Sequence, residues 1–290
     1  MLAEGVACRR PGVPASRAKK GRTMTPPRVP NVLSIAGSDP SGGAGIQADL
    51  KAISANGGYA MAAITALTAQ NTQGVTGVQR VPAAFVADQI RAVLADVQTH
   101  AIKIGMMGSA ETVRAVATEL ADHAAPVVLD PVMVAKGGSP LADAETVAAL
   151  RHLLPRVTVL TPNLPEAAAL LHLPEAQSRD AMLAQAQALR GLGCAAVLLK
   201  GGHLPGDHCP DLLLQDSGVT WFDGPRHATR NTHGTGCTLS SALATQMARG
   251  LDLAAACRAA KNYTAAAIAA ADGLQVGRGH GPTDHFFALR

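Results

Sequence analysis

Apolar positions along this chain fall into two alternating kinds of run. Short blocks rich in Val, Ile and Leu have the length of buried strands. Longer stretches repeat apolar residues every three or four positions, as helices do. The short blocks predict strands at Val32–Ala36, Met61–Thr68, Ala101–Gly105, Val127–Asp130, Val157–Thr161 and Ala196–Lys200. The long ones predict helices at Ile46–Asn56, Pro82–Val97, Glu111–His123, Ala144–Leu154, Pro165–Leu171, Arg179–Leu192, Thr238–Ala248 and Leu253–Ala271. Leu212–Gln215 and Val219–Phe222 straddle Asp216, Ser217 and Gly218, which predicts a hairpin.

Strand-then-helix repetition predicts an α/β fold: a central, mostly parallel sheet with helices on both faces. Such sheets bind ligands beyond the carboxyl ends of their strands. Polar and glycine-rich positions gather there in this chain. Gly37, Ser38 and Asp39 follow the first strand, and Gln70, Asn71 and Thr72 the second. Met106 follows the third, Asp130 closes the fourth, Asn163 follows the fifth, and Lys200 ends the sixth.

Composition narrows the function. Apolar residues make up 48% of the chain and aromatics only 2%, so the core is built from Ala, Leu, Val and Ile. So few aromatics leave no stacking platform for single-stranded nucleic acid. The net charge is +4, but residues 1–30 contribute +6 and the remainder −2. A near-neutral domain has no basic face, so no nucleic-acid partner is expected. Residues 1–28, rich in proline and without apolar periodicity, read as a disordered basic extension with no functional role; residues 29–290 read as the domain. No run of 18 apolar residues occurs, so no membrane span is expected. Five cysteines without CxxC spacing fit reduced thiols and a cytoplasmic location.

The densest chemistry lies at Asn231–Thr238. Gly234 and Gly236 open a helix, Thr235 stands between them, and Cys237 sits in the first turn. Unpaired backbone N–H groups at a helix start make an anion site. A thiol there should have a lowered pKa and serve as base or nucleophile. Asp130 and Glu166 could hold Mg²⁺, which takes few carboxylates and keeps water. Glu166 shares its helix start with Asn163. Lys200 places a cation at a strand end, where it can neutralise a nucleotide phosphate. Gly43, Gly45 and Ala48 superficially fit a dinucleotide fingerprint, but six residues separate the strand from Gly43, and Gln70 stands where an acid is required. His203, His208 and Cys209 are too irregularly spaced for a metal site and read as a plain loop.

Seven segments, AGSDPSGGAGIQADLK (36–51), ITALTAQNTQGV (64–75), KIGMMGS (103–109), VVLDPVMVAKGG (127–138), LTPNLPEAAALL (160–171), LLKGGHL (198–204) and NTHGTGCTLSSALA (231–244), carry a resemblance over Val32–Phe287. Together they resemble the ribokinase-like superfamily, and within it the hydroxymethylpyrimidine/phosphomethylpyrimidine kinases of thiamine biosynthesis. The resemblance implies a three-layer sandwich and successive ATP-dependent phosphorylations of 4-amino-5-hydroxymethyl-2-methylpyrimidine, to the monophosphate and then the diphosphate. It places Gly37, Asp49, Gln70, Met106 and Val132 in the pyrimidine pocket. Gly234, Thr235, Gly236 and Cys237 form the anion hole, with Cys237 where sugar kinases of the superfamily have Asp. Lys200, Asn163 and Gly234 contact the nucleotide, and Asp130 and Glu166 hold magnesium. A homodimer is implied. Some relatives add a small β lid, a role open to the Leu212–Phe222 hairpin. The alternative on the same fold is a pyridoxal or pyridoxine kinase. A silent ligand-binding module and a dehydrogenase are more distant readings.

Overall fold

The computed structural model describes residues 29–134, 138 and 141–290. The extension assigned to residues 1–28 lies outside the described residues. Along the chain run β1 (Asn31–Ala36), α1 (Gly45–Ala55), β2 (Tyr59–Ile64), β3 (Ala66–Asn71), β4 (Gly74–Arg80), α2 (Ala83–Asp96), β5 (Ala101–Ile104), α3 (Ala110–Glu119) and β6 (Val127–Leu129). Then follow α4 (Ala144–Leu153), β7 (Val159–Leu160), α5 (Leu164–Leu171), α6 (Arg179–Arg190), β8 (Ala196–Lys200), β9 (Asp211–Gln215), β10 (Gly218–Phe222), α7 (Thr235–Ala248) and α8 (Leu253–Ala269).

One eight-stranded sheet has the order β10-β9-β8-β7-β6-β5-β1-β2. Strands β2 to β8 in that list run parallel, and β9 and β10 finish one edge antiparallel. Alternation splits the core in two. Leu33, Ile35, Ile102, Ile104, Leu129 and Leu199 pack with α2 to α6 on one face. Val32, Ala101, Val128 and Leu198 pack with Ile53 of α1, Leu243 of α7 and Ala260 of α8 on the other. The expected three layers follow from strands buried on both sides.

Two polar residues interrupt the second face. Ser34 of β1 and Lys103 of β5 are register partners and both fully buried. They face the cleft between α1 and α7, and they mark the functional side of the sheet. β1 also lies between β2 and β5, so its two neighbours connect in opposite directions. A crevice opens at such a switch point.

The segment around residues 61–80 departs from the sequence expectation. The single strand expected at Met61–Thr68 is two strands broken at Thr65. Thr65 ties its N–H to Ala36 O at 3.0 Å and its hydroxyl to Met106 O at 2.7 Å, and the chain leaves the main sheet there. β3 then pairs with β4 in a separate antiparallel ribbon, bulged between Ala69 and Gln70. Gln70 therefore lies within a ribbon strand. The hairpin at 212–222 extends the main sheet as β9 and β10.

Candidate active site

The carboxyl ends of β1, β5, β6, β7 and β8 open into one cavity of about 800 Å³. Gly37, Met106, Val132, Asp130, Asn163, Glu166 and Lys200 line it, with Gln70 reaching in from the ribbon. Gly234, Thr235, Gly236 and Cys237 line the same space, so the expected site residues converge, Asp49 excepted.

Two helices begin at this cavity, and neither α1 nor α7 has a side-chain cap. Helices α3, α4, α5, α6 and α8 are capped by Ser109, Asp143, Asn163, Ser178 and Asp252. At α1 the Ala44 N–H goes to Asp39 Oδ2 and the Ile46 N–H to Gly37 O, each at 2.9 Å, so the amides at the start of α7, aided by both positive dipole ends, make the anion cradle. The two starts touch through backbone. Gly234 has φ +77, and a β-carbon there would lie 1.8 Å from Gly43 O, so only glycine fits. Gly236 keeps the cradle open, since a β-carbon would stand 3.1 Å from Asp130 Oδ2 and 3.3 Å from Lys200 Nζ.

Asp49 is not among the residues that line the cavity. Its carboxylate is fully buried and saturated. Lys103 Nζ lies 2.8 Å from both oxygens, Ser34 Oγ donates at 2.6 Å and Ser241 Oγ at 2.8 Å. Lys103 lies between Asp49 and the cavity lining, its side chain fully buried and its ammonium paired with Asp49. Burial works to lower its pKa, but Asp49, with Cys237 and Asp130, holds it above the usual lysine range.

Cys237 also departs from expectation. Burial pushes its thiol up to about 11; Lys103 and the Gly45 amide pull down, and Asp49 and Asp130 push up. The helix start does act on the sulfur, but desolvation and two carboxylates outweigh it. Cys237 lines the cavity, and its sulfur is close enough to Lys103 to feel its charge.

Lys200 joins the two acidic residues. Its Nζ lies 2.8 Å from Asp130 Oδ1 and 3.9 Å from Glu166 Oε2. Burial opposes its charge, and Asp130 and Glu166 raise its pKa. Burial also pushes Glu166 up to about 7, with Lys200 pulling down and Asp130 pushing up. Glu166 and Asn163 form a capping box at the start of α5, which fixes both side chains. Asp130 Oδ2 stands over Gly236 at the start of α7. Two hard carboxylates beside a phosphate cradle suit Mg²⁺, which is commonly held by one or two carboxylates plus substrate phosphates. Among the described residues no group of three or more His, Cys, Asp or Glu is placed to hold a metal, and the two acids need no third.

This geometry has counterparts among known proteins. Residues 39–284 match the family described as phosphomethylpyrimidine kinase. A hydroxymethylpyrimidine/phosphomethylpyrimidine kinase of Escherichia coli K12 is 52% identical over 260 residues, covering 89% of this chain and 98% of that protein. The chain belongs to the phosphomethylpyrimidine kinase family. A phosphomethylpyrimidine kinase from Clostridium difficile 630 superposes with a TM-score of 0.72 at 38% identity, over 81% of this chain and 97% of its own. A Bacillus subtilis pyridoxal kinase, solved as an ADP complex, superposes with a TM-score of 0.83 at 32% identity, over 90% of this chain and 99% of its own. The ribokinase-like fold is thereby shown.

Asp39, Thr68, Lys103 and His233 are among the residues of this kinase's cavity that escaped the sequence reading as site residues. Asp39 Oδ1 accepts from the Ser41 amide and hydroxyl, and Oδ2 from the Ala44 amide and from His233 Nε2 at 2.8 Å. The signal for Lys103 was available, since a lysine amid β-branched residues in Ala101–Ile104 has to find a buried partner.

Proposed function

We propose that this chain transfers the terminal phosphoryl group of ATP to the hydroxymethyl group of 4-amino-5-hydroxymethyl-2-methylpyrimidine, and then to the resulting monophosphate. The observation that carries the reading is the pair of uncapped helix starts at one cavity, beside Cys237, in a chain of this family. Phosphoryl transfer asks mainly for positioning and charge neutralisation. The α7 amides bind and orient the phosphoryl oxygens, the dipole of α1 adds to their field, and Lys103 and Lys200, both close enough to Asp130 to feel its charge, add positive charge. Mg²⁺, when bound, neutralises phosphate charge; Asp130 and Glu166 would hold it. Asn163 and Lys200 face the nucleotide end. Gly37, Met106, Val132 and Gln70 enclose the pyrimidine. With its proton retained, Cys237 positions the alcohol; a loose transition state needs little base.

Pyridoxal is the second reading, favoured by the close superposition on a pyridoxal kinase. ADP release measured side by side with the pyrimidine alcohol and with pyridoxal tests both. Faster turnover of the pyrimidine is expected, and faster turnover of pyridoxal would reverse the assignment. We further infer a homodimer in the cytoplasm. Among the described residues no helix is long and apolar enough to cross a membrane, and the four described cysteines are free thiols.

A further inference from the structure

Beyond Lys200 the chain leaves β8 in a loop whose two ends are pinned. At the near end the Gly201 N–H donates to Asp211 Oδ1 at 3.0 Å, and Lys261 of α8 donates to the other oxygen of Asp211 at 2.6 Å. At the far end the Cys209 N–H donates to Gly224 O at 2.9 Å, and the Arg226 N–H to Asp207 O at 2.8 Å. Those bonds lay the loop along the segment that leads from β10 to the Gly234–Cys237 cradle.

Between the pinned ends, three carbonyls turn onto one side chain. Arg226 donates from Nε to Gly206 O and from one terminal nitrogen to Gly202 O, each at 2.8 Å, and from the other terminal nitrogen to Leu204 O at 2.6 Å. Three nitrogens thus serve three alternate residues of the loop. A guanidinium can do this because its N–H groups leave a rigid planar fork in several directions, whereas an ammonium is a single point of charge. The Leu204 side chain is buried in the core and fastens the middle of the loop from below. His203, three residues beyond Lys200, brings the loop into the lining of the cavity.

We propose that Arg226 is a positioning residue for the nucleotide: it clamps residues 202–206, with His203, to the segment that runs into the cradle, so the wall beyond Lys200 is set before ATP arrives. The inference rests on the kinase reading, in which Lys200 faces the nucleotide end. Arg226 is not among the residues that line the cavity, so its effect passes through the loop. Its three side-chain bonds all end on that loop and none at Gly37, Gln70 or Met106. Losing the clamp should therefore weaken the nucleotide and spare the pyrimidine. Without the guanidinium, ATP itself has to order the loop, and ordering even one residue costs about tenfold in affinity.

Calorimetric titration of the full chain with the magnesium complex of a methylene-bridged ATP analogue, paired with ADP-release kinetics, tests the clamp. Arg226→Ala should bind the analogue about tenfold more weakly than the wild type and raise KM for ATP by the same factor. Its kcat and its KM for the pyrimidine alcohol should stay within about twofold, a split that a general loss of structure does not give. Arg226→Lys keeps the charge and loses the fork, so it should behave as Arg226→Ala does. Should Arg226→Ala fail to fold, Arg226→Lys decides alone. Variants with the nucleotide affinity of the wild type overturn the clamp, as does a parallel loss of kcat and of affinity for both substrates. A wild type whose nucleotide affinity depends on Arg226 but which releases no ADP ends the kinase reading and leaves the clamp standing.

Discussion

At the scale of single residues, opposed influences meet on the Cys237 sulfur. A helix start and a nearby ammonium favour the thiolate, while burial and two carboxylates favour the thiol, and the second group prevails at about 11. Alkylation of Cys237, followed by mass spectrometry in a Cys209→Ser background, should keep accelerating toward pH 11 rather than level near the ordinary 9.0. A plateau near 7 would restore the lowered-pKa reading. The same sulfur should matter unequally to the two reactions. An alcohol has to be placed and lose a proton, whereas a monophosphate is already ionised. Cys237→Ala should lose about 10²–10³ in turnover of the alcohol and clearly less on the monophosphate. Equal losses would show a role in the cradle's shape alone. Position 237 was legible in the sequence because glycine, glycine and cysteine at a helix start form a local pattern. The buried pairing of Asp49 was not legible, because its partner Lys103 is 54 residues away and no local pattern reports a buried ion pair.

At the scale of elements, long periodic helices were legible and the ribbon was not. β4 reads Gly-Val-Thr-Gly-Val-Gln-Arg, with two glycines and no continuous apolar face, so its strand character comes only from pairing with β3. The break at Thr65 was hidden for a related reason, because the apolar run continues while the chain changes sheets. The start of α7 likewise depends on a distant segment. Thr238 Oγ1 donates to Gly234 O at 2.9 Å, and His285 Nε2 lies 3.0 Å from that hydroxyl. Thr238 has spent its proton, so His285 has to donate, which a neutral ring does through Nε2–H. Burial, reinforced by Lys51 and opposed by Asp284, lowers the His285 pKa from 6.5 to about 4. A folded pKa below the unfolded one means the unfolded chain binds the extra proton first, so stability is complete above 6.5 and falls as pH drops toward 4. The loss should reach about 2 kcal/mol by pH 5. Thermal midpoints recorded from pH 7 to 5 should fall more steeply for the wild type than for His285→Gln. Parallel slopes would assign the acid sensitivity elsewhere.

At the scale of the whole molecule, the sheet that creates the crevice also sets a buried, ion-paired lysine beneath it. Ser34 and Lys103 stand opposite each other on β1 and β5, facing the cleft between α1 and α7. Lys103 in turn ties β5 to α1 through Asp49, and Ser241 ties Asp49 to α7. A buried ion pair contributes little net stability over apolar residues of the same volume, yet removing one partner strands a charge. Lys103→Met should therefore cost about 3–5 kcal/mol. In a chain of this size that lowers the melting midpoint by roughly 6–15 °C. Asp49→Leu combined with Lys103→Met should recover most of the loss, because nothing charged is left without a partner. Phosphoryl transfer should not recover with it, since the ammonium whose charge reaches Cys237 is gone. Melting curves and ADP release measured on the same three proteins separate the two effects. A double variant that regains both stability and turnover would reduce the pair to a fastener between layers. One that regains stability alone would show that the fold keeps a buried lysine for the charge it presents to the phosphate.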